Sequence, residues 1–245
     1  MARYFMHLSY RGAPFHGWQN QPGEVTVQSV LEQALSTLLR RPTAIVGAGR
    51  TDAGVNASMM IAHFDADHPL EPRAVNSLVG PDIAVYSIRA VHPEAHARFD
   101  ATERTYHYRA IEQKSPFLYP LAWFTRPLDY EAMNRAAALL LETDDFTSFA
   151  KLHSDAKTNL CRVTRAEWVA DPATGGMTFV ISANRFLRNM VRAVVGTLVD
   201  VGRGKMTVEE FGAVIAAKNR CAAGTSMPPH ALYLANIRYP YYTAQ

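Results

Sequence analysis

Gly47-Ala48-Gly49-Arg50-Thr51-Asp52-Ala53-Gly54-Val55 joins two apolar, strand-like runs, residues 44–46 before it and 59–64 after it. Three glycines in so short a span permit tight turning and close backbone approach by another molecule. Between them stand one cation, one hydroxyl and one carboxylate: Arg50, Thr51 and Asp52. As a connecting turn the stretch is ordinary, because Asp and Gly are residues that turns favour. As a functional loop, its chemistry resides in those three side chains. A dinucleotide-binding loop is set aside: Asp52 stands where the third glycine belongs, and no clear helix follows. Spacing alone leaves turn and functional loop both open, and the rest of the chain decides.

At 245 residues the chain is long enough to bury a proper core, as one large domain or two smaller halves. With 48% hydrophobic and 19% charged residues it reads as globular rather than disordered. The net charge of +3, from 25 Lys and Arg against 22 Asp and Glu, permits a nucleic-acid partner without requiring one. Cys161 and Cys221 stand far apart, so neither a disulfide framework nor a CxxC pair is available. No apolar run approaches membrane-spanning length, and residues 1–10 lack a signal-peptide layout. The expectation is a cytoplasmic protein.

In chain order, Tyr4, Met6, Leu8 and Tyr10 alternate with Phe5, His7 and Ser9, the period of a strand. A loop rich in Gly and Pro follows, carrying Phe15, His16, Trp18 and Gln19. Thr26 then caps a helix with an apolar stripe at Val27, Val30, Leu31, Ala34, Leu35, Leu38 and Leu39, ending near Arg40-Arg41-Pro42. A strand through Phe64, a short helix over 72–78 and a strand over 83–91 come next. His92-Pro93-Glu94-Ala95-His96 mimics a metal-binding spacing, but its internal proline argues against a ligand helix, and it reads as a loop.

Along 103–109, Arg104, Tyr106 and Tyr108 share one face of a strand, and Thr105, His107 and Arg109 the other. Such a strand serves either aromatic cross-strand packing or, with basic neighbours, base stacking. The second half repeats the outline of the first: a helix over 130–141, strands over 159–169 and 177–182, a helix over 208–217 and a strand over 232–239. From Asn184 the spacing predicts a further helix. Phe186, Leu187, Met190, Val191, Val194 and Leu198 form its apolar side, with Arg185, Arg188 and Arg192 opposite. Three arginines on one side make either a solvated face or a phosphate-facing wall. Gly196 inside the helix points to a close approach by another segment.

Taken together, these segments resemble the tRNA pseudouridine synthase A family. The resemblance is carried by residues 49–55, Gly17-Trp18-Gln19, Thr26-Val27-Gln28 and Arg104-Thr105-Tyr106-His107-Tyr108. It continues through residues 186–192, Gly196-Thr197-Leu198 and Leu232-Tyr233-Leu234, in the family's order and over nearly the whole chain. The resemblance implies an α+β fold of two ferredoxin-like halves sharing a long central antiparallel sheet. Helices would pack on one side of it, with a basic cleft on the other. The halves are expected at 1–108, carrying the carboxylate loop, and 109–245, carrying the arginine-rich helix. It further implies a homodimer that isomerises uridine to pseudouridine on the 3′ side of the tRNA anticodon stem-loop, with no cofactor, no metal and no membrane association.

By the same resemblance Asp52 is the catalytic carboxylate, acting either as nucleophile or as the base that removes a ribose proton. A carboxylate buried alone has its pKa raised, so a cation is expected beside it, and Arg192 matches the family position for that partner. Tyr106 matches the tyrosine that packs on the target uracil. Arg50 resembles the residue that fills the space left when the nucleotide is extruded, which costs a few kcal/mol. Arg104, Arg188 and Arg185 are candidates for phosphate contacts.

The chain departs from the family pattern at Asn56, where His is common, and at Ala231, where Gly often stands. Asn keeps hydrogen-bonding capacity but cannot carry an imidazolium charge. The competing readings are a catalytically weak tRNA-binding module or RNA chaperone on the same scaffold, and an unrelated hydrolase using Asp52. The latter would lack a second paired carboxylate or a metal cluster.

Overall fold

In the computed structural model, which describes residues 1–151 and 157–244, the chain is an α+β protein made of two compact units. One comprises Met1–Arg104 with Tyr233–Gln245, the other Thr105–Leu232.

The first unit opens with β1 (Ala2–Tyr10), α1 (Val27–Leu39), β2 (Val46–Gly47), β3 (Asn56–Ala66), α2 (Pro72–Asn76) and β4 (Ile83–Val91). β1 lies between β3 and β4, antiparallel to both, and β2 adds to the other side of β3. Tyr4, Met6, Leu8 and Tyr10 share one face and are all buried. Phe5, on the other face, is buried too, its ring 5.3 Å from that of Tyr239 and 5.1 Å from that of Tyr242. β1 is therefore buried along one face, while the other is covered at Phe5 and part-exposed at Arg3, His7 and Ser9.

α1 starts where its sequence says it should. Thr26 Oγ1 accepts the Ser29 N–H at 3.1 Å while Ser29 Oγ accepts the Thr26 N–H at 3.0 Å, a reciprocal cap that satisfies two donors at once. The helix ends at Arg40, which turns left-handed at φ 53°, two residues before Pro42. The strand-like run before the glycine-rich loop is shorter than its apolarity implies: only Val46 and Gly47 pair, opposite His63 and Ala62.

The second unit contains β5 (Glu103–Ile111, from its third residue), β6 (Trp123–Phe124), α3 (Tyr130–Ala138), β7 (Val163–Asp171), β8 (Gly176–Ala183), α4 (Met190–Gly202) and α5 (Val208–Ala217). β8 sits between β5 and β7, and β6 pairs with the end of β5. A Cβ on Gly176 would stand 2.2 Å from the Ala110 carbonyl oxygen, so this strand contact requires glycine. α3 tightens into a 3-10 turn over Leu139–Leu141, and β7 begins at Val163 rather than at Asn159, with Leu160 making an isolated bridge to Asp145. From Tyr233 the chain returns to the first unit, where β9 (Leu232–Arg238) runs parallel to the start of β3, pairing Tyr233 with Asn56 and Leu234 with Ala57.

The helix expected from Asn184 is corrected by six residues. α4 starts at Met190, and Arg185 and Arg188 precede it on an irregular segment, so only Arg192 of the three lies on the helix. Two side chains hold the segment out of helical geometry. Asn184 Oδ1 accepts the Arg162 N–H at 2.8 Å, and Asn189 adopts φ 65° while its amide donates to Ser226 Oγ at 2.6 Å. Nor is α4 two-sided: Ala193, Val195, Gly196 and Thr197 are as buried as Val194 and Leu198. The close approach inferred from Gly196 is present, since a Cβ there would lie 1.8 Å from the Thr225 carbonyl oxygen.

Candidate active site

The Asp52 loop is shaped by a segment more than thirty residues upstream. It leaves β2 at Gly47 and enters β3 at Asn56, with the Ala48 N–H bonded to the Ile61 carbonyl at 2.8 Å. Against it lies the connection between β1 and α1. The Trp18 N–H donates to the Thr51 carbonyl at 3.1 Å, and the Gly54 N–H to the Phe15 carbonyl at 3.3 Å. The buried hydroxyls of Tyr10 and Thr51 meet at 2.8 Å. Asn56 Oδ1 accepts the Gly12 N–H at 2.8 Å.

Glycines make this contact possible. Gly17 has φ +86°, and a Cβ on it would meet the Thr51 carbonyl oxygen at 2.5 Å. A Cβ on Gly12 would stand 2.2 Å from the Val55 carbonyl oxygen. The buried Trp18 indole fills the space where Gly47 lacks a side chain. Within this frame Thr51 is buried, Asp52 is half-buried and Arg50 is exposed. The loop thus carries a half-buried Asp52 on a backbone tied down by its neighbours.

Arg104 belongs to the same unit and turns its guanidinium toward backbone. Nη1 donates to the Ala101 carbonyl at 2.7 Å, and Nη2 donates both to Ala48 at 2.9 Å and to Arg98 at 2.5 Å. The residue expected to touch phosphate therefore spends these donors on three carbonyls, one of them in the Asp52 loop.

The remaining candidates lie in the second unit. Tyr106 is half-buried, its ring edge-to-face with Phe186 at 5.0 Å. Tyr108, next but one on β5, is fully buried, and burial pushes its hydroxyl pKa well above the usual range, opposed by the nearby charge of Arg192. Arg192 projects from the first turn of α4. Its Nε donates to the Met227 carbonyl at 2.5 Å while its own carbonyl accepts the Met227 N–H at 3.1 Å. Arg188 is exposed, and Arg185 is half-exposed, its Nη1 3.4 Å from the Thr158 carbonyl.

Sequence reasoning did not single out Gly12 or the Tyr10–Thr51 hydroxyl pair as supports of the Asp52 loop, nor Phe186 as the ring against Tyr106. The glycine spacing over residues 12–23 was the available signal for the first, and nothing local marked the others. The His92–His96 pair does not form a metal site. His96 Nδ1 accepts the N–H groups of Arg98 and Phe99 at 3.1 and 3.2 Å, and the His92 ring packs on Tyr241. Among the described residues no group of three or more His, Cys, Asp or Glu side chains is arranged to hold a metal ion.

Comparison with known proteins gives this geometry its class. The family described as tRNA pseudouridine synthase matches residues 136–240. A tRNA pseudouridine synthase A of Bacteroides thetaiotaomicron is 54% identical over 246 residues, covering 98% of this chain and 91% of that protein. The proteins of the same name in Parabacteroides distasonis and Porphyromonas gingivalis are 53% and 51% identical, each over 98% of this chain and 97% and 98% of theirs. These relatives place the chain among the pseudouridine synthases, which are isomerases. The chain belongs to the tRNA pseudouridine synthase A family.

Proposed function

We propose that this protein isomerises uridine to pseudouridine in tRNA, on the 3′ side of the anticodon stem-loop, with Asp52 as the catalytic carboxylate. The observation that carries this reading is the Asp52 loop, whose backbone is tied through Gly12, Phe15, Trp18 and Asn56 while Asp52 itself is half-buried. Fixing the group before substrate arrives avoids ordering it during the reaction. The reaction breaks the bond between ribose C1′ and uracil N1, turns the base over, and joins C1′ to C5. N1 gains a proton and C5 releases one, so the net change is an isomerisation. Asp52 acts on the sugar or base as nucleophile or as general base, and both roles need it ionised. Arg192 is the cation proposed to keep it so, Tyr106 the ring against the uracil, and Arg50 the side chain that fills the vacated stack. Arg185 and Arg188, both on the irregular segment before α4, are proposed phosphate contacts.

The proposal extends to the architecture. The order β4-β1-β3-β2 in the first unit, all antiparallel with α1 and α2 as crossovers, supports a ferredoxin-like half. A second such half, a homodimer and a cytoplasmic setting follow the family resemblance. The test is release of tritium from tRNA labelled at uridine C5. Wild type should release it stoichiometrically with pseudouridine. Asp52→Asn, nearly isosteric but uncharged, should bind tRNA and melt normally yet release none. Substantial release by a well-folded Asp52→Asn protein would sink the mechanism.

A further inference from the structure

In the loop over residues 92–101, the backbone N–H groups of residues 95 to 100 are all hydrogen-bonded. The Ala95 N–H bonds the His92 carbonyl at 3.0 Å, the His96 N–H bonds Asp100 Oδ2 at 2.7 Å, and the Asp100 N–H returns to the His96 carbonyl at 3.1 Å. The Ala97 N–H donates to His63 Nδ1 at 3.1 Å, and its carbonyl accepts the Tyr239 hydroxyl at 2.6 Å. The Arg98 and Phe99 N–H groups share His96 Nδ1. Yet the Phe99 side chain, in the middle of this knot, is 75% exposed. Single exposed apolar residues are common and by themselves mean little. This one is different in how it is held. Its ring lies 4.3 Å from the His96 ring at a tilt of 31°, and the Arg98 guanidinium sits 5.7 Å from its centroid.

The position matters as much as the posture. Arg104 Nη2 donates to the Arg98 carbonyl and the Ala48 carbonyl at once, so one nitrogen ties the Phe99 loop to the Asp52 loop. A rigid, outward-facing aromatic ring with an arginine beside it matches the requirements for stacking an unpaired base while contacting its phosphate. We propose that Phe99, with Arg98, forms a stacking site for an unpaired nucleobase of the substrate tRNA, a contact additional to the extruded uridine. This rests on the reading of the protein as a tRNA-modifying enzyme. Arg104 then serves as a positioning residue, linking the stacked base to the loop that carries Asp52.

The experiment compares wild type with Phe99→Leu, Phe99→Trp and Arg98→Gln in the full chain, using an unmodified tRNA transcript. Affinity, turnover at saturating tRNA and thermal melting are measured on the same preparations. Phe99→Leu, which stays apolar but loses the π-face, should weaken tRNA binding about tenfold, with turnover at saturation and melting unchanged. Phe99→Trp should bind as wild type does and show quenched indole emission on adding tRNA. Arg98→Gln should make affinity less steeply dependent on salt, by about one counterion. Equal affinity of Phe99→Leu and wild type, or a loss confined to turnover at saturation, overturns the stacking site while leaving tRNA modification intact. Failure of wild type to bind tRNA overturns both.

Discussion

Asn56 and Gly12 are joined by one hydrogen bond, in which the side-chain carbonyl of a residue 2% exposed accepts a buried backbone N–H at 2.8 Å. It pins the end of the Asp52 loop to the turn after β1. The family's common histidine can make the same bond, because Nδ1 of a neutral imidazole can stand where Oδ1 stands now.

Asn56→His is therefore expected to keep turnover within about tenfold of wild type at pH 8, or about 1.4 kcal/mol of barrier. Below about pH 6.5 its activity should fall faster than that of wild type, because protonating Nδ1 replaces the acceptor with a donor facing a donor. Asn56→Ala leaves the Gly12 N–H buried without this partner and should cost about 1–3 kcal/mol of stability. Denaturant melts and pH–rate profiles check both. Identical pH profiles for Asn56→His and wild type would count against the geometry.

The glycines offer a graded test. Gly17→Ala must adopt a left-handed backbone, at about 1–2 kcal/mol, and also bring its Cβ to 2.5 Å from the Thr51 carbonyl oxygen. Gly49→Ala meets nothing within 4 Å and should change stability by about 0.5 kcal/mol or less. Pseudouridine formation should follow the same order, with Gly17→Ala severely impaired. Equal losses in the two variants would mean that the loop is not held against the β1–α1 connection.

Tyr106 meets Phe186 edge-to-face, and the pair should fail in steps. Tyr106→Phe should remain active, since it keeps the ring. Tyr106→Ala should lose about 1–3 kcal/mol of substrate interaction. Phe186→Ala should fall between them, by freeing the tyrosine ring to turn. Single-turnover rates across a tRNA concentration series read all three. A nearly inactive Tyr106→Phe would assign the hydroxyl a chemical role instead.

His63 predicts how stability depends on pH. Burial, then the charges of Arg3 and His96, push its pKa down to about 4, with Asp65 and Asp100 partly opposing. His96 is lowered as well, by burial first. Between about pH 6.5 and 4 the unfolded chain therefore binds a proton at His63 that the folded chain refuses. Stability from this group is full above about pH 6.5 and falls as pH drops, by up to about 1.4 kcal/mol per pH unit. His63→Asn, which can still accept a hydrogen bond, should flatten that slope in denaturant melts from pH 7.5 to 4. An unchanged slope would show that His63 is not the refusing group.

Local signals are legible in the sequence where they act locally. The bounds of β4 and α5 and the capping of α1 by Thr26 follow from alternation and capping chemistry within a few residues. The start of α4 is not legible, because Phe186, Leu187 and Met190 have helical spacing, whereas Asn184 and Asn189 are claimed by Arg162 and Ser226 far along the chain. The same distinction runs through the site. Asp52 stands out in its own glycine-rich loop, but its support comes from Gly12, Gly17 and Tyr10, whose contacts span roughly forty residues. The three carbonyl partners of Arg104 have no local cue, and appear only once residues 48, 98 and 101 are brought together.

The parallel pairing of β9 with β3 also sets the order in which this protein becomes whole. Residues 1–104 are made well before Tyr233, and at ribosomal speeds the interval is on the order of ten seconds. Until then the edge of β3 at Asn56 and Ala57, immediately after the carboxylate loop, has no parallel neighbour. A growing chain can therefore possess Asp52, its glycines and its tryptophan and still lack a finished site. Strand β9, synthesised long after the loop, closes the strand edge beside it, so that the surroundings of the loop wait on a distant part of the polypeptide.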